Sequence, residues 1–369
     1  MKILLIHNIA TSYYKNIVFN EFYKIYKNFK VLHLAETEKI RDWKIDLSDI
    51  EYPYEVLVQG SIDNKGKLYY IKKIWQLLNN ENPKILYLGG YFHIAFWTAL
   101  IWAKIHSVKI ILEMDSNKFD HVRVEWKEYI KKIFVSNCTV GITYGELSRA
   151  YFQELGMSNK KIIIKPNVSS KTLFYKSNLL EKPNCMIIDN YFIYVGRFSK
   201  EKNLLLFLNA FNDAYKKLKT QKWGILLVGS GPQEEELKEY ISKFNIPNVT
   251  FSGFVDKNDL VKYYNYSKVF VLPSTSEPWG LVANEAMMSG LPVIISTQCG
   301  CSLDLVQNNG FTFNPFNKLE LEKILMTYMM EEVNINEQSK ESLKLIEKFT
   351  PELAAKKIYD AITLIEEIK

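Results

Sequence analysis

Two carboxylates, Glu277 and Glu285, are separated by seven residues in the most chemically informative stretch of this chain, residues 273–294. An apolar run ends at Leu272, a loop of Pro, Ser and Thr follows, and a helix is expected from about Gly280 to a C-cap at Gly290. Glu277 then stands on the loop before a helix N-terminus, and Glu285 about one and a half turns inside it, both toward the carboxyl end of a sheet. A carboxylate accepts two hydrogen bonds from a vicinal diol, so such a pair suits a ligand with a diol at each end. The first N–H groups of that helix, at Trp279, Gly280 and Leu281, suit a phosphate or a sugar hydroxyl. Gly280 also permits close approach to the backbone. The competing reading is a solvated loop with Glu285 on an exposed helix face.

Two cations follow another apolar run. Residues 191–195 are apolar or aromatic, Gly196 turns the chain, and Arg197 and Lys202 come next. Arg clamps a pyrophosphate bidentately and Lys adds a point charge, stabilising negative charge that builds on a departing diphosphate. A third segment, residues 226–232, carries Gly229 and Gly231 ahead of Gln233 and three glutamates, Glu234 to Glu236. These glycines either border a bound nucleotide or only shape a strand-to-helix turn. The full Gly-x-Gly-x-x-Gly and an acid for an NAD ribose are lacking, which excludes a dinucleotide fingerprint.

The elements that must position these groups alternate along the chain. Residues 2–6, 30–34, 55–59, 85–88, 109–112 and 139–143 read as strands, with amphipathic helices at 16–28, 67–79, 93–106 and 121–136. A polar break at 176–189 is followed by further strands at 191–195, 224–228, 249–251, 269–272 and 292–296. Strands separated by helices imply parallel sheets covered on both faces. The expected class is therefore α/β, with two Rossmann-like domains whose parallel sheets face an interdomain cleft. The boundaries expected are 1–178, 188–348, and a C-terminal helix, 349–369, packing back toward the first domain.

At 369 residues the chain exceeds one comfortable core, which supports two domains. The net charge of +6 is modest; no basic cluster or groove-entering motif accompanies it, so nucleic acid is excluded as a partner. Cys138, Cys185, Cys299 and Cys301 show no zinc-site spacing, and the chain reads as reduced and cytoplasmic. The first residues read as a strand rather than a signal peptide. The apolar run 94–103 is about half of the roughly 20 residues a membrane span requires, so a buried helix is expected there.

The segments 191–203, 226–232, 251–255 and 273–294 together resemble the retaining family-4 glycosyltransferases of GT-B architecture, glycosyl transferases group 1. The resemblance runs from Tyr191 to about Gly310 and fades to general topology in the first half. It implies a nucleotide-sugar donor in the second domain and an acceptor, a glycan or a lipid-linked sugar, in the first. Glu277 would contact the donor sugar and Glu285 the ribose, while Arg197 and Lys202 neutralise the diphosphate. Gly196, Gly229, Gly231, Phe254, Val255, Trp279, Gly280 and Leu281 would complete the donor site. The family uses no metal to hold the diphosphate, so neither metal nor cofactor is expected. Asp304 sits where relatives more often carry Glu.

The first domain departs from the pattern. The loop after strand one, residues 7–15, lacks the usual glycines; Thr11 and Tyr13 are its candidate acceptor contacts. Asp115 or Ser116 stands where many relatives have His. Asp115 binds a donor hydroxyl, acts as a base toward the acceptor, or caps the next helix. His93 either touches substrate or is a packed, capping residue. Tyr69, Tyr70, Lys72, Lys73 and Trp75 either approach an anionic membrane, giving peripheral contact at its inner face, or form a solvated helix face with buried aromatics.

The resulting expectation is hexosyl transfer from a UDP- or GDP-sugar with retention, in surface glycan or polysaccharide assembly. Closure about the 176–189 linker would exclude water, and solution scattering would report it. A non-catalytic nucleotide-sugar-binding scaffold would release no nucleoside diphosphate. A sugar-nucleotide epimerase would form product from the donor alone.

Overall fold

The computed structural model describes residues 1–38, 47–121, 123–169, 181–219 and 222–368. The chain divides into two compact units. The first comprises Met1–Ser116, Arg123–Val168 and Thr350–Lys369; the second comprises Asn117–Val122 and Ser169–Phe349. The expected linker at 176–189 lies outside the described residues as far as residue 180.

The first unit holds a seven-stranded, all-parallel sheet in the order β3-β2-β1-β4-β5-β6-β7. Its strands are β1 (Ile3–Ile9), β2 (Phe29–Ala35), β3 (Tyr54–Val56), β4 (Ile85–Leu88), β5 (Lys109–Glu113), β6 (Val140–Thr143) and β7 (Ile162–Ile164). Ile3 to Ile6 are fully buried because helices cover both faces, which is why the strand reads as one unbroken apolar run. The helices are α1 (Tyr13–Ile25), α2 (Lys67–Glu81), α3 (Ile94–Ile105), α4 (Glu125–Ser136) and α5 (Glu146–Glu154).

The second unit holds a six-stranded parallel sheet in the order β10-β9-β8-β11-β12-β13. Its strands are β8 (Asn190–Val195), β9 (Trp223–Val228), β10 (Val249–Gly253), β11 (Val269–Leu272), β12 (Val293–Ser296) and β13 (Gly310–Phe313). Its helices are α6 (Leu204–Leu218), α7 (Glu234–Phe244), α8 (Lys257–Asn265), α9 (Leu281–Met288), α10 (Ser302–Leu305), α11 (Lys318–Met329) and α12 (Ile335–Ile346). The edge strands β7 and β13 escape the sequence reading; they are mostly half-buried, unlike the equally short inner strands, which are fully buried apolar runs.

The last helix, α13 (Pro351–Glu367), belongs to the first unit and packs on α1. Thr350 caps it, its hydroxyl accepting from the Leu353 N–H at 3.2 Å, and Pro351 fills the first turn where no N–H is needed. Ala354, Ile358, Ala361, Ile362 and Ile365 form its buried stripe. Each of its isoleucines contributes roughly 1.5–3 kcal/mol by leaving water.

α2 corrects the idea of an aromatic membrane-facing patch. Tyr70 is buried and donates its hydroxyl to the Ile62 carbonyl at 2.7 Å; Tyr69 and Trp75 pack partly against the core, leaving Lys72 and Lys73 exposed. This is the solvated face with buried aromatics. α3 is the helix expected over 94–103, buried over most of that span with Ile101 exposed, and no described helix is long and apolar enough to cross a membrane.

Candidate active site

In the second unit the strand order reverses between β8 and β11, which pair although β9 and β10 separate them in sequence. Open parallel sheets bind ligands beyond the carboxyl ends of the strands at such a reversal. β8 leads into Gly196, Arg197 and Lys202; β11 leads into Glu277 and Gly280.

The two loops are stitched together. Asn203, at φ 58°, donates its side-chain amide to the carbonyls of Pro273 at 3.2 Å and Pro315 at 2.8 Å. The Thr275 N–H donates to the Glu201 carbonyl at 2.8 Å. The Glu277 carbonyl accepts from the Gly300 N–H at 2.9 Å and from the Asn117 amide at 3.1 Å, and the Ser276 hydroxyl donates to the Asp120 carbonyl at 2.7 Å. With its backbone clamped, Glu277 directs its carboxylate into an ion pair with the Lys202 ammonium. Burial first, and the Glu277 carboxylate second, push the Tyr194 phenol and the Cys299 thiol well above their ordinary pKa, so both stay neutral beside the pair.

A cavity of about 290 Å³ opens at this point, walled by Val195, Gly196, Arg197, Glu201, Lys202, Glu277, Gly280, Leu281 and Val282. Its lining offers two cations, two carboxylates and a helix start. Gly280 stands at φ +100°, and a Cβ there would lie 2.8 Å from Leu272 Cδ2, so the turn into α9 excludes larger residues. α9 begins without a side-chain cap, leaving its first N–H groups available to an anion or hydroxyl. Such a wall suits a diphosphate next to a polyol.

Glu285 does not line this cavity. It is buried on α9 and accepts from the Tyr264 hydroxyl at 3.3 Å. Lying four residues beyond Leu281, it shares that residue's helix face one turn deeper. Trp279 is buried away from the cavity, donating its indole N–H to Asn284 at 2.8 Å. Gly229 and Gly231 also lie outside it: a Cβ on Gly229 would fall 2.1 Å from the Gly196 carbonyl oxygen, so this glycine lets two strand ends approach. Phe254 is 78% exposed and Val255 half-buried, neither lining the cavity.

The first unit places its candidates separately. Thr11 is buried, its hydroxyl donating to the Glu36 carbonyl at 2.9 Å, whereas Tyr13 opens α1 and is exposed. His93 caps α3, its Nδ1 accepting from the Ala95 N–H at 3.2 Å, and its ring meets Tyr70 edge-on at 4.5 Å. Burial holds its pKa below the ordinary histidine value. Asp115 is exposed after β5 and does not cap the next helix, where Val124 takes the N-cap position.

Sequence reasoning missed two groups. Asn117 and Asp120 come from the first half of the chain yet hold the Glu277 loop; nothing local marks them, because their partners lie some 160 residues away. The other is a buried polar centre at the carboxyl end of the first sheet. Glu113, closing β5, lies 2.6 Å from both Lys15 and Lys165 and accepts hydrogen bonds from the Tyr87 and Tyr144 hydroxyls. Burial pushes the Glu113 carboxyl up, but the two ammonium groups outweigh it and hold the group well below the usual carboxylate range. Burial lowers Lys165 to about 8 against the pull of Glu113. A charged residue directly ending an apolar strand, as in β5, was the available signal.

Residues 187–345 match the family model described as glycosyl transferases group 1. An uncharacterized glycosyltransferase of Methanocaldococcus jannaschii is 27% identical over 183 residues, covering 48% of this chain and 45% of that protein. One of Haemophilus influenzae is 29% identical over 234 residues, covering 62% of each chain. The matches thus span roughly half the length of these curated relatives. Among solved structures, Anabaena HepE in complex with UDP aligns over 98% of this chain and 100% of its own, with a TM-score of 0.77 and 17% identity. The two share a fold, the GT-B pair of Rossmann-like domains.

Proposed function

We propose that this chain, whose residues 187–345 match the family model of glycosyl transferases group 1 and whose fold is GT-B, moves a hexosyl group from a UDP- or GDP-sugar to an acceptor hydroxyl with retention of configuration. The observation that carries this reading is the Lys202–Glu277 pair on one wall of the cavity at the strand-order reversal of the second sheet. Lys202 and Arg197 face the diphosphate, whose negative charge grows as the glycosidic bond breaks; cations already in place stabilise that state more than the ground state. Glu277 accepts from donor hydroxyls and orients the sugar while keeping the Lys202 ammonium in position. Glu285, one turn deeper on α9, takes the ribose. The acceptor hydroxyl attacks from the face the diphosphate leaves, and a donor phosphate oxygen receives its proton. This scheme assigns charge neutralisation to side chains, so neither metal nor cofactor is part of it. The acceptor is a glycan or lipid-linked sugar in surface glycan assembly, bound by the first unit, where Thr11, Tyr13, His93 and Asp115 are its candidate contacts.

The test is nucleoside diphosphate release from a panel of UDP- and GDP-sugars, with the anomeric configuration of the product read by NMR. One donor is expected to turn over, only with acceptor present, giving the donor's anomer. Product formed from the donor alone would make the chain an epimerase. Binding without release would make it a scaffold, and an inverted product would overturn the retaining scheme.

A further inference from the structure

α4 turns the wrong face outward for an ordinary surface helix. Trp126, Tyr129, Ile130 and Ile133, spaced i, i+3, i+4 and i+7, form one stripe, and they are 62%, 67%, 40% and 40% exposed. Only Phe134 and Val135 of this helix are buried. Of its two acids, Glu125 is exposed and Glu128 is turned inward, accepting from Lys131 at 2.7 Å and from the Tyr151 hydroxyl at 2.6 Å. A soluble surface helix keeps its apolar stripe on the core and its charges in water. Here the side chains that would ordinarily be hidden are the ones left in solvent.

The charges that remain outside mark what covers this stripe. At 100° per residue Lys127 falls on one flank of it and Lys132 and Glu125 on the other, all three exposed, so the border is net positive; the Lys127 ammonium lies 5.6 Å from the Trp126 ring centroid. On α3, which touches α4 through Trp97 and Phe134 at 4.8 Å between ring centroids, Ile101 and Ile105 are 52% and 64% exposed around an exposed Lys104. Aromatic rings and short aliphatic groups bordered by lysines match a bilayer interface, where rings sit at headgroup depth and ammonium groups reach lipid phosphates. A second copy of the chain fits less well. A twofold contact through α4 would set this net positive border of one copy against the same border of the other.

We propose that α4 docks the first unit on an anionic lipid surface, with Trp126, Tyr129, Ile130 and Ile133 entering the headgroup–acyl boundary and Lys127 and Lys132 meeting lipid phosphates. This assignment stands apart from the transferase reading, since it concerns a surface and needs no turnover to be tested.

The experiment is vesicle co-sedimentation of the full chain, using phosphatidylcholine alone and phosphatidylcholine mixed with phosphatidylglycerol. The wild type is expected to sediment with the mixed vesicles and to be released by salt. Trp126→Ser with Tyr129→Ser should stay in the supernatant. Lys127→Gln with Lys132→Gln should bind about tenfold more weakly and with a shallower salt dependence. All four residues are exposed, so unchanged circular dichroism is expected in both variants. Equal sedimentation of the wild type and the aromatic variant would overturn the proposal. So would a wild-type chain that ignores both vesicles, or a dimer in sedimentation velocity that only the aromatic variant dissolves.

Discussion

The Lys202 ammonium and the Glu277 carboxylate form an ion pair between the loop after β8 and the loop after β11, with their side chains only 17% and 16% exposed. Removing either member leaves the other largely buried and unpaired, which costs far more than the pair itself contributes. Arg197 differs: its side chain is 61% exposed and its nearest carboxylate, Glu201, lies 3.6 Å away. That contrast separates structural from chemical contributions at one cavity.

Lys202→Met and Glu277→Gln should each lower donor turnover by about 100-fold or more, and the double variant should be no worse than the weaker single, because the two act as a unit. Both should also lower the melting temperature. Arg197→Gln should reduce turnover with the melting temperature unchanged. Steady-state kinetics beside thermal melts give both readouts; a larger melting shift for Arg197→Gln than for Lys202→Met would contradict the assignment.

Glu113→Gln should destabilise the chain by about 3 kcal/mol or more, since it strands two ammonium groups inside the first sheet's edge. Tyr87→Phe removes one neutral donor from the same carboxylate and should cost less, about 1.5–3 kcal/mol. Urea unfolding of the two variants measures the difference, and equal losses would mean that the ammonium charges are not what Glu113 balances.

Acid should destabilise the first unit before its carboxylates protonate. Burial lowers His33 to about 4, and its Nδ1 has no hydrogen-bond partner among the described residues. Burial, then the charges of His33 and Lys15, hold His7 well below the ordinary histidine value. Both groups are neutral when folded but take protons below about 6.5 when unfolded. The unfolded state therefore binds more protons in this window, and stability falls as pH drops from about 6.5 to 4, by up to about 1.4 kcal/mol per unit for each histidine. Glu113, depressed in the fold, adds a further loss below its ordinary pKa. His33→Phe should flatten the decline in urea midpoints between neutral pH and about 4; an unchanged slope would place the proton uptake elsewhere.

The α/β class, most of the strands and the mostly buried α3 were legible in the residues alone, because a strand covered on both faces must be a continuous apolar run and a helix must repeat near 3.6 residues. Local spacing likewise marked Glu277 as a loop residue ahead of α9 and Gly196 as the end of β8. It was silent on Lys202 meeting Glu277, which stand 75 residues apart and touch only because β11 inserts beside β8. The same holds for Asn117 on the Glu277 loop, for the two lysines around Glu113, and for Tyr70 turning inward while Trp126 and Tyr129 turn outward. Sequence determined which residues stand at strand ends and helix starts, since backbone hydrogen bonding and side-chain period are local. Which of those ends meet, and which aromatic faces lose their water, was decided by strand order and packing, which only the folded chain possesses.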